Sequence, residues 1–228
     1  MTVQRIYIIV PVYNEAAVIS ATLQDLLGTG YPVIVVDDGS TDALPQILAG
    51  LPVHYIRHCF NLGQGAALET GMEEARRLGA DAVVHFDADG QHAAGAVSVL
   101  LAPILEGSCD IVFGSRFLER SGAGQLPFTR RLVLQAARYL NYLFTGILLS
   151  DAHNGLRALG PLALQKIRLT QDRMSHATEI LEEVHEYGLR YREVPVTIRY
   201  SPYSKAKGQS LLNSVNILFD VLFKKMQK

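Results

Sequence analysis

The chain has 228 residues, with 21 basic and 22 acidic side chains and a formal net charge of −1, which excludes a global drive toward nucleic acid. An apolar share of 49% against 19% charged residues excludes a disordered chain. Two cysteines, Cys59 and Cys109, are too few for a disulfide framework and too far apart for a metal site, so buried free thiols in a reducing compartment are expected. The apolar run at 6–10 is short and meets Pro11 and Asn14-Glu15, unlike a secretory leader. The stretch 132–149 is interrupted by Gln135, Arg138 and Asn141, so no segment reads as a bilayer span. A cytoplasmic protein is expected, free or peripheral on the cytoplasmic face of the inner membrane.

In chain order, residues 5–10 read as a buried strand and 16–27 as a helix with Val18, Ile19, Leu23, Leu26 and Leu27 on one face. A Val/Ile strand at 32–36 stops at Asp37-Asp38-Gly39-Ser40. A short helix and a strand at 53–57 follow. Residues 66–78 form an amphipathic helix, and 82–86 a strand with Asp87 at its C-terminal end. A helix at 95–105 and a strand at 111–114 complete the run. Strand–helix alternation with nearly continuous apolar strands predicts an α/β fold, its parallel sheet covered on both faces. In such sheets ligands bind beyond the carboxyl ends of the strands. Tyr13-Asn14-Glu15, Asp37-Asp38 and Asp87 to Gln91 all fall there. Beyond Arg116 the chain reads as a glycine-rich loop at 121–125, one or two apolar helices at 132–149, a helix at 175–187, a strand at 191–199, a polar segment at 201–210 and a helix at 211–223.

Asp87 and Asp89 stand one residue apart, so an extended chain points both the same way. Two carboxylates with a carbonyl oxygen suit a hard divalent cation that keeps positions open for diphosphate oxygens. On its own the tripeptide Asp87-Ala88-Asp89 also fits a solvated turn. The other clusters shift the weight. Pro11-Val12-Tyr13-Asn14-Glu15, Val35-Val36-Asp37-Asp38-Gly39-Ser40-Thr41-Asp42, Asn61-Leu62-Gly63-Gln64-Gly65 and Asp87-Ala88-Asp89, in that order and spacing, resemble a family 2 glycosyltransferase with a GT-A fold. Gly114-Ser115-Arg116-Phe117, Asp151 to Arg157 and Glu193-Val194-Pro195-Val196 resemble its dolichyl- and polyprenyl-phosphate sugar synthase branch and related bacterial polysaccharide transferases.

The resemblance implies that Pro11, Tyr13, Glu15, Asp37 and Asp38 hold the nucleoside of a GDP-, UDP- or dTDP-sugar. It implies that Gly65 lets backbone approach the donor. Asp87, Ala88 and Asp89 would face the diphosphate, with Asp87, Asp89 and Gln91 around Mg²⁺ or Mn²⁺. Ser40 or Asp42 also fits a helix cap. Arg116, Arg130 and Arg131 fit a phosphate clamp, since the planar guanidinium binds phosphate oxygens in pairs. Arg157 reads either as part of that clamp or as the buried partner of Asp151. Lys205 and Lys207 lie where similar proteins close a loop over the diphosphate, although Arg199 to Lys205 lacks the glycine many of them carry.

The expected chemistry is one displacement with inversion at the anomeric carbon. A phosphate monoester has a second pKa of about 6 and needs no base, whereas a sugar hydroxyl needs one. Glu179 and then Asp151 are the candidate bases, and the arginine-rich segment tilts the acceptor toward a polyprenyl phosphate or another lipid-linked acceptor. Transfer to a sugar hydroxyl in cell-surface polysaccharide assembly is the alternative. A nucleotidyltransferase and a nucleotide-sugar binding module without turnover are the rivals. The catalytic domain is expected at 1–208. Leu211, Leu212, Val215, Leu218, Phe219 and Leu222 share one face of a basic helix at 209–228, placed against a membrane surface, the core or a second subunit of a homo-oligomer.

Overall fold

The structure is a computed structural model that describes residues 4–118, 138–139, 142–143, 145–151, 154–170 and 176–198. Arg130, Arg131, His153, Lys205, Lys207 and the helix expected at 209–228 lie outside the described residues. The elements run β1 (Ile6–Val12), α1 (Ile19–Leu27), β2 (Val33–Asp37), α2 (Leu44–Leu48), β3 (His54–Arg57), α3 (Gln64–Arg77), β4 (Ala82–His85), α4 (Ala96–Leu105), β5 (Ile111–Ser115), β6 (Arg157–Leu159), α5 (Pro161–Lys166), α6 (His176–Glu186) and β7 (Tyr191–Pro195).

The strands form one sheet in the order β3-β2-β1-β4-β6-β5-β7. The ladders β1–β2, β1–β4, β2–β3 and β5–β7 are parallel, as β-α-β crossovers require. The short β6 runs antiparallel between β4 and β5. The sheet is therefore mostly parallel, with one strand the sequence reading did not resolve. Three residues, Arg157 to Leu159, are too few for a period to show.

Successive strand residues face opposite layers. Ile8 and Val10 of β1 and Val84 and Phe86 around β4 pack under α1, α2 and α4, with Leu23, Leu26, Leu100 and Leu101. Ile9, Ile34, Val36 and Val83 pack on the other side against α3, α5 and α6, with Leu68, Met72, Leu164, Ile180 and Leu181. A Cβ on Gly71 would stand 2.3 Å from Cγ2 of Ile9, so the lack of a side chain there sets how closely α3 lies on β1. Burying one such aliphatic side chain stabilises by about 1.5–3 kcal/mol, and these two layers fix the strand ends.

Some boundaries differ from the sequence reading. β1 extends to Val12, so Pro11 is a buried strand residue paired with Val36, not a loop residue. The first helix begins only at Ile19, after a turn in which Val18 and Ile19 donate to the carbonyl of Glu15. β7 ends at Pro195, although Ile198 still bridges to His92. Among the described residues of 132–149, the chain is helical at 138–139, 142–143 and 145 and no longer so at Ile147. Cys109 is buried as expected, whereas Cys59 is exposed. No helix among the described residues is long and apolar enough to cross a membrane.

Candidate active site

The carboxyl ends of β1, β2 and β4 meet along one edge of the sheet, and their loops are stitched together by short polar side chains. Asn14 takes φ 55°, a left-handed conformation that asparagine tolerates better than most residues. Its amide donates to Ser40 Oγ at 3.0 Å, and its Oδ1 accepts from the Thr41 amide at 2.8 Å. Asp42 accepts from the Ala16 amide at 2.9 Å and the Leu44 amide at 3.2 Å, so it braces the first loop as well as the start of α2. Ser40 serves the brace rather than a helix cap.

Asp37 and Asp38, expected to hold the nucleoside, are both buried, and their oxygens carry internal bonds. Asp37 accepts from the Ser40 amide at 2.7 Å and the Tyr55 hydroxyl at 2.8 Å, with Arg57 Nε at 3.3 Å. Burial, the bond to Asp37 and its charge push the Tyr55 phenol up to about 12. Asp38 Oδ2 accepts from the Gly63 amide at 2.7 Å, and Oδ1 from the Leu62 amide at 2.9 Å beside His58 Nδ1 at 2.8 Å. That carboxylate folds the Asn61 to Gly65 turn at the N-terminus of α3. Gly63 sits at φ 103°, where a side chain is strained, while Gly65 lies buried within the helix. Tyr13 is 45% exposed, and Glu15 is half-buried on the same rim.

Asp87 follows β4 and Asp89 opens the next turn. Gln64 Nε2, from the first residue of α3, donates to Asp87 Oδ1 at 3.0 Å, and His92 Nε2 stands 3.7 Å from Oδ2. Burial works to raise the Asp87 carboxyl, but the His92 ring and the positive charges of Arg157 and His176 outweigh it, and the group lies below the usual carboxylate range. Asp89 goes the other way. Burial first and the Asp87 charge second push it up, Glu15 adding to both, although the Gln91 amide donates to it. Gln91 also gives its side-chain amide to Asp89 Oδ2 at 2.6 Å, which leaves its carbonyl oxygen as the atom that could meet a cation. The Ala88 carbonyl is held by Thr22 Oγ1 at 3.4 Å.

Among the described residues no group of three or more His, Cys, Asp or Glu could hold a metal by itself. The donor set nevertheless suits Mg²⁺ or Mn²⁺, because two adjacent carboxylates plus diphosphate oxygens and water complete such a shell. Burial first and the Asp87 charge second raise Asp89, and a cation at this pair would offset both.

The expected acceptor side is organised around ion pairs. Arg116 makes a two-pronged bridge to Asp151, Nε to Oδ2 at 2.6 Å and Nη2 to Oδ1 at 2.7 Å, and its amide adds a bond at 3.1 Å. Glu193 accepts from the Ser150 amide at 2.8 Å and hydroxyl at 2.7 Å and from the Asp151 amide at 3.3 Å. Asp151 is therefore the partner of Arg116, which corrects its pairing with Arg157. Arg157 is buried on the face of β6 turned toward α3 and α6, and Asp87 is the carboxylate acting on it. Burial brings its guanidinium down to about 10, still charged at neutral pH. Glu179 is 6% exposed and accepts both the amide and the hydroxyl of Thr170.

The structure thus gathers Tyr13, Glu15, Asp37, Asp38, Gly65, Asp87, Ala88, Asp89 and Gln91 near one sheet edge, and pairs Arg116 with Asp151 beyond the carboxyl end of β5. Gln64 and Glu193 stand within motifs the sequence reading quoted without a role for them, and His92 was missed. Gln64 had a signal, an amide side chain at the first helical position after a glycine turn. His92 and Glu193 reach their partners only through the fold.

The model of the family described as Glycosyl transferase family 2 matches residues 7–168. The UDP-N-acetylglucosamine–dolichyl-phosphate N-acetylglucosaminyltransferase of Methanococcus voltae is 32% identical, with 100% of this chain and 99% of that protein covered. The polyprenol monophosphomannose synthase of Mycolicibacterium smegmatis is 28% identical over 91% of this chain and 83% of its own length. Among solved structures, the glucosyl-3-phosphoglycerate synthase of Mycobacterium tuberculosis with UDP superposes with a TM-score of 0.67 at 19% identity, over 92% of this chain and 74% of that one. The same enzyme with Mn²⁺, UDP and glucosyl-3-phosphoglycerate gives 0.63 at 19% identity, over 90% and 75%. These neighbours carry the GT-A fold.

Proposed function

The chain belongs to glycosyl transferase family 2, and on that premise we propose that it moves a sugar from a nucleoside diphosphate to the phosphate of a polyprenyl lipid, with inversion at the anomeric carbon. The observation that carries this reading is the pair Asp87 and Asp89 at the end of β4, the second carboxyl raised beside the first. The braced loops bearing Tyr13, Glu15 and Asp37 receive the nucleoside, with the Tyr13 ring exposed to pack on the base. The Asn61 to Gly65 turn, shaped by Asp38, lets backbone approach the donor. Mg²⁺ or Mn²⁺ held by Asp87 and Asp89 would neutralise charge on the departing diphosphate.

The acceptor follows from what the candidate bases do. Asp151 is committed to Arg116 and Glu179 to Thr170. A phosphate acceptor needs no base, since at neutral pH it is already an anion. Arg116, held by Asp151 beyond β5, is the guanidinium on that side that an acceptor phosphate would meet. The names of the relatives from Methanococcus voltae and Mycolicibacterium smegmatis support the same class of acceptor.

The test is incubation of the full-length chain with Mn²⁺ and a panel of UDP-, GDP- and dTDP-sugars, with either a polyprenyl phosphate in detergent micelles or a lipid-linked sugar hydroxyl as acceptor, read by mass spectrometry of the lipid. A glycosyl-phosphoryl lipid with release of nucleoside diphosphate is expected. Product only with a sugar-hydroxyl acceptor, or release of pyrophosphate, would overturn the proposal.

A further inference from the structure

The β4–β6 ladder pairs Val83 with Leu159, Val84 with Ala158 and His85 with Arg157. Two residues further along, the same antiparallel register sets Asp87 opposite Gly155. Period-two alternation puts His85 and Asp87 on one face, shared with Gly155 and Arg157. The distances agree. A Cβ built on Gly155 would stand 2.1 Å from Asp87 Oδ2 and 2.6 Å from its Cγ. The Gly155 backbone lies outside the left-handed region, so the glycine is required for space and not for conformational freedom. Arg157 is 2% exposed, and its Nη1 has no hydrogen-bond partner among the described residues. His85 beside it is also buried, with neither ring nitrogen bonded among them.

We propose that Gly155 and Arg157 are positioning residues for Asp87: the glycine gives the carboxylate room at the strand end, and the buried guanidinium is its counter-charge from below. A short antiparallel strand thereby sets the aim of a carboxylate carried on its neighbour. The inference rests on the reading of Asp87 as a metal and diphosphate ligand.

The test compares the full-length chain with Asp87→Ala, Gly155→Ala, Arg157→Met, Arg157→Lys and the double variant Asp87→Ala/Gly155→Ala. Binding of Mn²⁺ with UDP or with GDP is read by calorimetry, and stability by thermal unfolding. Gly155→Ala should fold, because the atoms its methyl meets end a side chain, yet bind the Mn²⁺–nucleotide pair about 10-fold or more weakly, the usual effect of losing support behind a metal ligand. Arg157→Met should lose a similar factor and Arg157→Lys should recover most of it.

Undiminished binding by Asp87→Ala would sink the underlying reading of the site. Loss in Asp87→Ala with parental binding in Gly155→Ala and Arg157→Met would overturn the positioning inference alone. So would equal losses in the Met and Lys variants, or tighter binding in Arg157→Met, the result expected if the guanidinium only repelled the cation. If Gly155→Ala fails to fold, the double variant decides. A folded double supports the contact, since the colliding carboxylate is gone, and an unfolded double overturns it.

Discussion

The half of the sheet around β1 and β2 and the half around β5, β6 and β7 hold their loops in different ways. In the first, side chains from adjacent turns capture backbone amides: Asn14, Ser40 and Asp42 tie one loop to the next, and Asp38 closes the turn before α3. In the second, charged side chains join distant segments, Asp151 as the ion-pair partner of Arg116 and Glu193 as acceptor of the Ser150 and Asp151 amides. Asp87 sits on the boundary, with Gln64 on its donor side and Gly155 on its other side. The first half joins neighbouring turns, and the second joins segments remote in sequence through carboxylates, one of them in an ion pair.

Breaking the boundary should have the largest effect. Asp87→Ala is expected to lower turnover by about 10³-fold or more, as when one stabiliser of leaving-group charge is removed, and to lower the unfolding temperature too, because buried Arg157 loses its counter-charge. A variant with parental kcat would place the diphosphate elsewhere. Within the first half, Asp38→Ala strands the Leu62 and Gly63 amides and frees His58, at a cost of about 3 kcal/mol in denaturant unfolding. Donor KM should rise with it, because the turn before α3 loosens. An unchanged midpoint would show that the turn holds itself.

Asp151→Asn weakens the bridge to Arg116 and should cost about 1–2 kcal/mol, less than Asp38→Ala because Arg116 keeps some access to water. Acceptor KM should rise more than donor KM. The reverse ratio would move Arg116 to the donor side.

The smallest effect concerns pH. Burial holds the Glu183 carboxyl up at about 7; the Arg168 amide works against this, and Glu179, Glu69 and Glu186 add to it. The folded chain therefore holds that proton more tightly than the unfolded chain. Stability from this group is present below about 4.5 and is lost as pH rises through about 7. Glu183→Gln should flatten that fall, which thermal unfolding across pH 5–8 would show; an unaltered slope would assign the fall to another group.

Much of the first half was legible because its signals are local. Val33 to Asp37 is an apolar strand ending in a carboxylate, and the order of Tyr13, Asp37 and Asp87 after three strands places them at one edge whatever the helices do. What Asp37 and Asp38 do there was less legible. Their type suits both a ligand and a turn, and only the fold reveals Tyr55 and the Gly63 amide as their partners. In the second half the determining pairs are remote in sequence, such as Glu193 with Ser150 and Arg157 with His85, and a single chain carries no local trace of them. Glu179 illustrates the same limit. Its place at the start of a helix suited a base, while its carboxylate accepts from Thr170, nine residues earlier.

The antiparallel β6 also bears on the order in which the chain folds. β4 and β5 are consecutive strands before it, yet the ladder between them is closed only by residues 157–159. Loop closure over that span slows pairing relative to the β1–β2 contact, whose crossover is shorter. The expected kinetic order is an early nucleus of β1 and β2 and a late entry of β6. Pulsed hydrogen exchange should then find amides of Ile9 and Val35 protected before that of Ala158. Asp87 would spend the intervening time on the margin of an unfinished sheet, and ligand competence would appear only with the last strand to dock.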